Sequence, residues 1–82
     1  MDFSPVVLGK NCVGTLEANL DKIPPETCQK ICAQLPWCRA VVMNNQGFCY
    51  VKGNHDETNI QMHCISTPFG DESYLKNGSR GL

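Results

Sequence analysis

The stretch that decides the fold reads PETCQKICAQLPWC and spans residues 25–38. Pro25 suits the first turn of a helix, where its missing N–H costs nothing, and Pro36 drives the preceding residue out of helical geometry. Between the two prolines, apolar residues recur at spacings of three, one and three, which places them on one helical face: Cys28, Ile31, Cys32 and Leu35. The sequence therefore predicts an amphipathic helix over residues 25–35 whose inner face carries two cysteines.

A β-hairpin is predicted directly after this helix. Residues 39–43 (RAVVM) and 48–52 (FCYVK) are rich in β-branched and aromatic side chains, and the NNQG between them accepts left-handed backbone. Alternate residues of the second strand share a face, with Cys49 and Val51 on one side and Phe48, Tyr50 and Lys52 on the other. The two aromatic residues form either an exposed patch or a layer covered by another strand.

The remaining segments carry weaker signals. Three stretches each predict a short strand: residues 4–8, 15–20 and 73–75. The polar stretch 53–61 predicts a loop, and residues 77–82 predict a flexible tail. We expect a single domain over residues 1–82, with a core at about residues 5–76.

Six cysteines stand in this chain of 82 residues: Cys12, Cys28, Cys32, Cys38, Cys49 and Cys64. An even number in so short a chain predicts three disulfides and no free thiol, and therefore a secreted or cell-surface protein in an oxidising compartment. The first residues lack the charged and apolar regions of a signal peptide. We therefore expect this domain to be excised from a larger multidomain protein.

The pairing of the cysteines has fifteen solutions, and the sequence alone does not choose among them. Cys28 and Cys32 lie one helical turn apart, so each can reach a different partner packed on that face. Cys38 follows closely enough to clip the end of the helix to the next strand, and the inward-facing Cys49 is well placed for Cys28.

The central motif resembles that of the PAN/apple family. Residues 27–40 (TCQKICAQLPWCRA) and 47–52 (GFCYVK) match the family signature: Cys-x3-Cys-x5-Cys, a strand, a glycine-containing turn, and a cysteine followed by an aromatic or aliphatic residue, x and lysine. The resemblance implies an α+β fold in which one helix is cradled by a curved antiparallel sheet of about five strands. It also implies three disulfide pairs: Cys28–Cys49, Cys32–Cys38 and Cys12–Cys64.

Composition and motifs argue against several classes of function. A net charge of −1 provides no basic stripe for nucleic acid, and no apolar run approaches the roughly 18 residues of a membrane span. The cysteine spacings lack the Cys-x2-Cys pairs of zinc sites, although His55 and His63 lie near Cys64. No nucleophile elbow, phosphate loop or zinc-protease motif occurs. We therefore expect no metal, no cofactor and no enzymatic activity.

The polar stretch that follows the second hairpin strand is the candidate ligand-binding site, because loops fixed to a rigid strand often carry recognition residues. Its residues, with one aromatic residue of the strand, are Tyr50, Lys52, Asn54, His55 and Asp56. The alternative is a plain solvated connector. The outer helix positions Gln29, Lys30 and Gln34 are not expected to bind.

Two other residues invite a functional interpretation. Trp37 could stack on a ligand, although packing across the short loop between Cys32 and Cys38 is favoured. Asn77 begins an Asn-Gly-Ser sequence, which is an N-glycosylation acceptor.

The resemblance implies an extracellular adhesion or docking module whose partner is another protein. A lectin-like module for cell-surface glycans is the first alternative, and a structural spacer in a tandem array is the second. We expect the isolated domain to be monomeric.

Overall fold

A computed structural model describes residues 2–81 as one α-helix and two sheets. In chain order the elements are β1 (Val7–Leu8), β2 (Lys10–Val13), β3 (Leu16–Asn19), α1 (Pro25–Gln34), β4 (Cys38–Met43), β5 (Cys49–Gly53), β6 (Gln61–Ser66), β7 (Glu72–Leu75) and β8 (Arg80–Gly81). Five strands form an antiparallel sheet in the order β1-β7-β4-β5-β3. The others form a smaller sheet, β2-β6-β8, in which β8 runs parallel to β6. The α+β class with mostly antiparallel strands is therefore confirmed.

The helix occupies the predicted residues, but its buried face is narrower than predicted. It begins at Pro25 and ends at Gln34, because Leu35 before Pro36 has extended backbone with φ −98° and ψ 113°. Cys28 and Cys32 are fully buried, whereas Ile31 is 37% exposed. The prediction that Ile31 belongs to the inner face is wrong. The helix contacts the sheet chiefly through Cys28 and Cys32. Ile31 lies beside this contact line on the helix surface and remains partly exposed to solvent.

Three disulfides connect the elements, and none of the cysteines is free. Cys28–Cys49 joins α1 to the strand β5, and Cys32–Cys38 joins the end of α1 to the start of β4. Cys12–Cys64 joins β2 to β6, where the two residues are direct cross-strand partners. The three predicted pairs are all present.

The predicted hairpin forms the centre of the larger sheet. At its turn the Asn44 side-chain oxygen accepts hydrogen bonds from the backbone N–H groups of Gln46 and Phe48, at 3.0 and 2.9 Å. Gly47 has a positive φ of 88°, which favours glycine at this position. All residues of β4 from Ala40 to Met43 are buried, since α1 covers one face of the strand and the smaller sheet covers the other.

A β-bulge interrupts the hairpin at Arg39. Cys38 pairs with Gly53 and Ala40 pairs with Lys52, so Arg39 has no partner on the neighbouring strand. The bulge lets the Arg39 guanidinium reach the backbone oxygen of Glu57, at 2.7 Å. It thereby connects the central strand to the loop that follows β5.

Three strands were not predicted from the sequence: β2, β6 and β8. The last of these lies in the segment expected to be a flexible tail, where Arg80 and Gly81 instead pair with Gln61 and Met62. Gly81 allows this approach, because a Cβ at that position would lie 2.7 Å from the Cys64 sulfur. The end of the described chain is thus tied to the disulfide of the smaller sheet.

The core consists of two small clusters. The first lies between α1 and the larger sheet and contains Phe3, Val41, Val51 and the inner cysteines. Trp37 packs against this cluster, as favoured from the sequence. The second lies between the sheets and contains Cys12, Ala40 and Met62.

Lys76 satisfies the C-terminal end of the helix from a distant part of the chain. Its ammonium group donates to the backbone oxygens of Cys32 and Leu35, both at 3.3 Å. These carbonyls carry the negative end of the helix dipole, so a positive charge here is stabilising. Burial and the neighbouring Arg39 lower the pKa of Lys76, and Asp2 acts in the opposite direction.

We predict that Lys76→Met lowers the free energy of unfolding by about 1–2 kcal/mol, because two helix-terminal carbonyls lose a charged donor. Lys30→Met is the matched control, since Lys30 is exposed on the same helix and its side chain makes no hydrogen bond to any described residue. Urea denaturation followed by circular dichroism measures both. Equal stability of the two variants would contradict this capping role.

Candidate functional site

The first component of the predicted site is the β5 face opposite Cys49 and Val51. The Lys52 ammonium lies 5.4 Å from the centroid of the Tyr50 ring and 3.2 Å from a carboxylate oxygen of Glu17 on the neighbouring strand β3. Lys52 is only 5% exposed, whereas the Glu17 side chain is 60% exposed. The Lys52 charge is therefore balanced within the fold by a carboxylate and an aromatic face.

Neither interpretation of the hairpin aromatics fully describes them. Phe48 and Tyr50 are both half-buried, and each has a lysine ammonium over its ring at 5.4 Å, from Lys22 and Lys52 respectively. Each ring thus contributes partial surface area that is flanked by positive charge.

Asn54, the second component, is a structural residue at the base of the loop. It is 3% exposed, and its amide nitrogen donates to the backbone oxygens of Asn59 and Gln61, at 2.8 and 3.0 Å. Its side-chain oxygen accepts from the backbone N–H of Thr15, at 3.3 Å. Both ends of the amide are engaged inside the chain, so this residue closes the loop between β5 and β6.

The exposed part of the predicted site is the loop itself, which is held from several sides. The backbone N–H of His55 donates to the Thr15 hydroxyl at 2.9 Å, and the His55 ring nitrogen Nδ1 lies 3.1 Å from the same oxygen. The Asp56 carboxylate accepts from the Thr58 hydroxyl at 2.7 Å and from its backbone N–H at 3.0 Å. These two bonds lower the pKa of Asp56, which keeps the carboxylate charged into the acidic range.

The structure therefore divides the five predicted residues into two groups. Lys52 and Asn54 are buried and bonded within the fold, whereas His55 and Asp56 are exposed and Tyr50 is half-exposed. We call Tyr50, His55 and Asp56 the loop surface. Asn77, the predicted glycosylation acceptor, is exposed in the turn after β7, where its backbone N–H donates to the Asp2 carbonyl at 2.8 Å.

A second concave surface was missed by the sequence analysis. It is a groove of about 690 Å³ between the outer side of α1, the N-terminal segment and β7. Its lining comprises Asp2, Phe3, Ser4, Pro5, Glu26, Gln29, Lys30, Ala33, Gln34 and Tyr74. We call it the helix groove. It includes the three helix positions that were not expected to bind, and the residues that complete it come from both ends of the chain.

The electrostatic potential in the helix groove is negative at Tyr74. Burial raises the pKa of Tyr74, and the nearby carboxylates of Glu72 and Glu26 raise it further. A neutral phenol at this position therefore sits in a negative local potential.

Within residues 2–81, no group of three or more histidine, cysteine or acidic side chains is arranged to hold a metal ion. The single helix of this region is too short to cross a membrane.

Comparisons with known proteins found no relative of this chain: no family profile, no curated protein and no solved structure matches it.

We predict that Asn54→Ala lowers the free energy of unfolding by about 2–3 kcal/mol, because the buried amide makes three hydrogen bonds to backbone groups and all three are lost. Asn45→Ala is the matched control, since Asn45 is exposed in the hairpin turn and its side chain makes no hydrogen bond in the part of the chain that the structure describes. Thermal and urea denaturation measure both. If the two variants were equally stable, the loop would not depend on the Asn54 amide.

Proposed function

We propose that this chain is a non-catalytic, extracellular recognition module of the PAN/apple type that docks onto another protein through the loop surface. The observation that carries the proposal is the loop after β5, which exposes His55 and Asp56 while its backbone is fixed by the side chains of Thr15, Arg39 and Asp56 itself. A loop held in one conformation loses little entropy on binding.

The architecture supports the PAN/apple type. One helix packs on an antiparallel sheet of five strands, the number that the resemblance implies. The helix cysteines pair with Cys38 and Cys49, and the first cysteine pairs with the last, as in the implied pattern.

The disulfides also support the proposed location. Three bridges among six cysteines indicate an oxidising environment, because cytosolic thiols are kept reduced. Secretion or display at the cell surface is the ordinary route to such an environment.

A protein partner is favoured over a glycan. Sugar recognition relies on a free aromatic face and on convergent amide and charged groups. One face of Tyr50 is occupied by the Lys52 ammonium, and the Asn54 amide is bonded within the fold. The groups that remain are typical of a protein interface, with the Tyr50 ring and His55 near its centre and the Asp56 carboxylate at its rim.

The test screens the labelled domain on two arrays, one of extracellular proteins and one of glycans. We expect a protein ligand, whose binding weakens by about 1–2 kcal/mol with Tyr50→Ala or His55→Ala, as for residues near the centre of an interface. Lys30→Ala on the opposite side should leave this binding unchanged. Surface plasmon resonance measures affinity, and a melting curve checks that each variant is folded.

Other outcomes separate the alternatives. Binding only to glycans would favour the lectin-like module, and no binding on either array would favour the structural spacer. A protein ligand that depends on Lys30 and Gln34 but ignores Tyr50 and His55 would contradict the site assignment.

A further inference from the structure

We propose that the helix groove is a second binding site, which takes an extended segment of a partner protein carrying an apolar side chain next to a lysine or arginine. This inference is independent of the loop surface, since the groove lies on the helix side of the larger sheet and Lys52 and Tyr50 lie on the opposite face.

The size and floor of the groove fit an apolar side chain. Its volume of about 690 Å³ lies in the range of sites that enclose a small ligand or a few side chains. Phe3, which is 8% exposed, and the half-buried Tyr74 supply aromatic area, and Ala33 leaves space on the helix wall. Phe3 is held in place by its pairing with Lys76, so the floor is fixed before a ligand arrives.

The charges of the groove favour a basic segment. Asp2 and Glu26 line it and are exposed, and within residues 2–81 neither side chain takes part in a hydrogen bond or an ion pair. Lys30 is the one cation in the lining, one helical turn from Glu26. Burial is the main cause of the raised pKa of Tyr74, and the Glu72 and Glu26 carboxylates raise it further, so both add negative potential at this phenol. The balance at the aromatic floor is therefore negative and complements a cationic side chain.

Lys76 does not reverse this balance. It lies near Asp2, but its ammonium donates to the carbonyls of Cys32 and Leu35 at the end of the helix. Among the described residues Lys76 forms no ion pair with the Asp2 carboxylate, which it attracts only at longer range, so Asp2 and Glu26 keep their hydrogen-bonding capacity for a ligand.

The experiment titrates the folded, ¹⁵N-labelled chain with two short capped peptides. One contains adjacent phenylalanine and arginine, and the other has glutamate in place of arginine. We expect amide shifts at Phe3, Glu26, Ala33 and Tyr74 with the arginine peptide, and an affinity about fivefold or more above that of the glutamate peptide.

Two variants test the geometry and the charge separately. Ala33→Trp fills the groove and should abolish the shifts from both peptides. Glu26→Lys should remove or invert the preference between them. Tyr50→Ala is the matched control on the other face and should change neither titration.

Three results would overturn the proposal. These are equal affinity for the two peptides, shifts confined to the loop surface, or no shift with the arginine peptide at about 5 mM. A melting curve for each variant shows that lost shifts reflect the groove and not unfolding.

Discussion

Two cysteines one turn apart on a ten-residue helix are the constraint on which the rest of this structure depends. Through them the helix is bonded to both strands of the central hairpin, at Cys38 and Cys49. No leucine, phenylalanine or tryptophan is fully buried in the described chain, where five cysteines take that role beside Met62, Val41 and Val51. In the chain-entropy description each bridge contributes roughly 2–4 kcal/mol, comparable with the total stability of a small domain. The disulfides thus supply stability that a larger domain obtains from its hydrophobic core.

The helix and the hairpin, which two disulfides hold together, position the two candidate surfaces, the loop surface and the helix groove. On the side away from the helix, β5 ends at Gly53, where a side chain would overlap the Trp37 carbonyl, and the following loop is anchored by Asn54. On the helix side, the N-terminal segment and β7 complete a groove against the outer face of the helix. Both surfaces consist of side chains attached to a backbone that is fixed elsewhere, which suits a module that binds without remodelling.

Local signals in the sequence predicted the helix, the hairpin and strand β3, because prolines, turn residues and alternation act over a few residues. The strand β6 had such a signal in the alternation of Met62 and Cys64 with polar neighbours, but Ile65 interrupts that alternation after four residues. Strand β8 and the cap by Lys76 depend on contacts between distant segments, and no local pattern encodes them. The same reason explains the site: composition identified the polar loop, but only the fold shows that Asn54 is buried within it.

The most direct test of the helix clamp compares two double variants, Cys28→Ala/Cys49→Ala and Cys12→Ala/Cys64→Ala, by urea denaturation. Chain entropy alone assigns the larger loss to the second, about 4 against 3 kcal/mol, because its loop spans 52 residues and the other spans 21. The clamp predicts the reverse order, since losing Cys28–Cys49 breaks the bond between the helix and β5 and leaves Cys32–Cys38 alone to hold the helix on the cluster it covers. A greater loss of stability in the Cys12→Ala/Cys64→Ala variant would contradict this account.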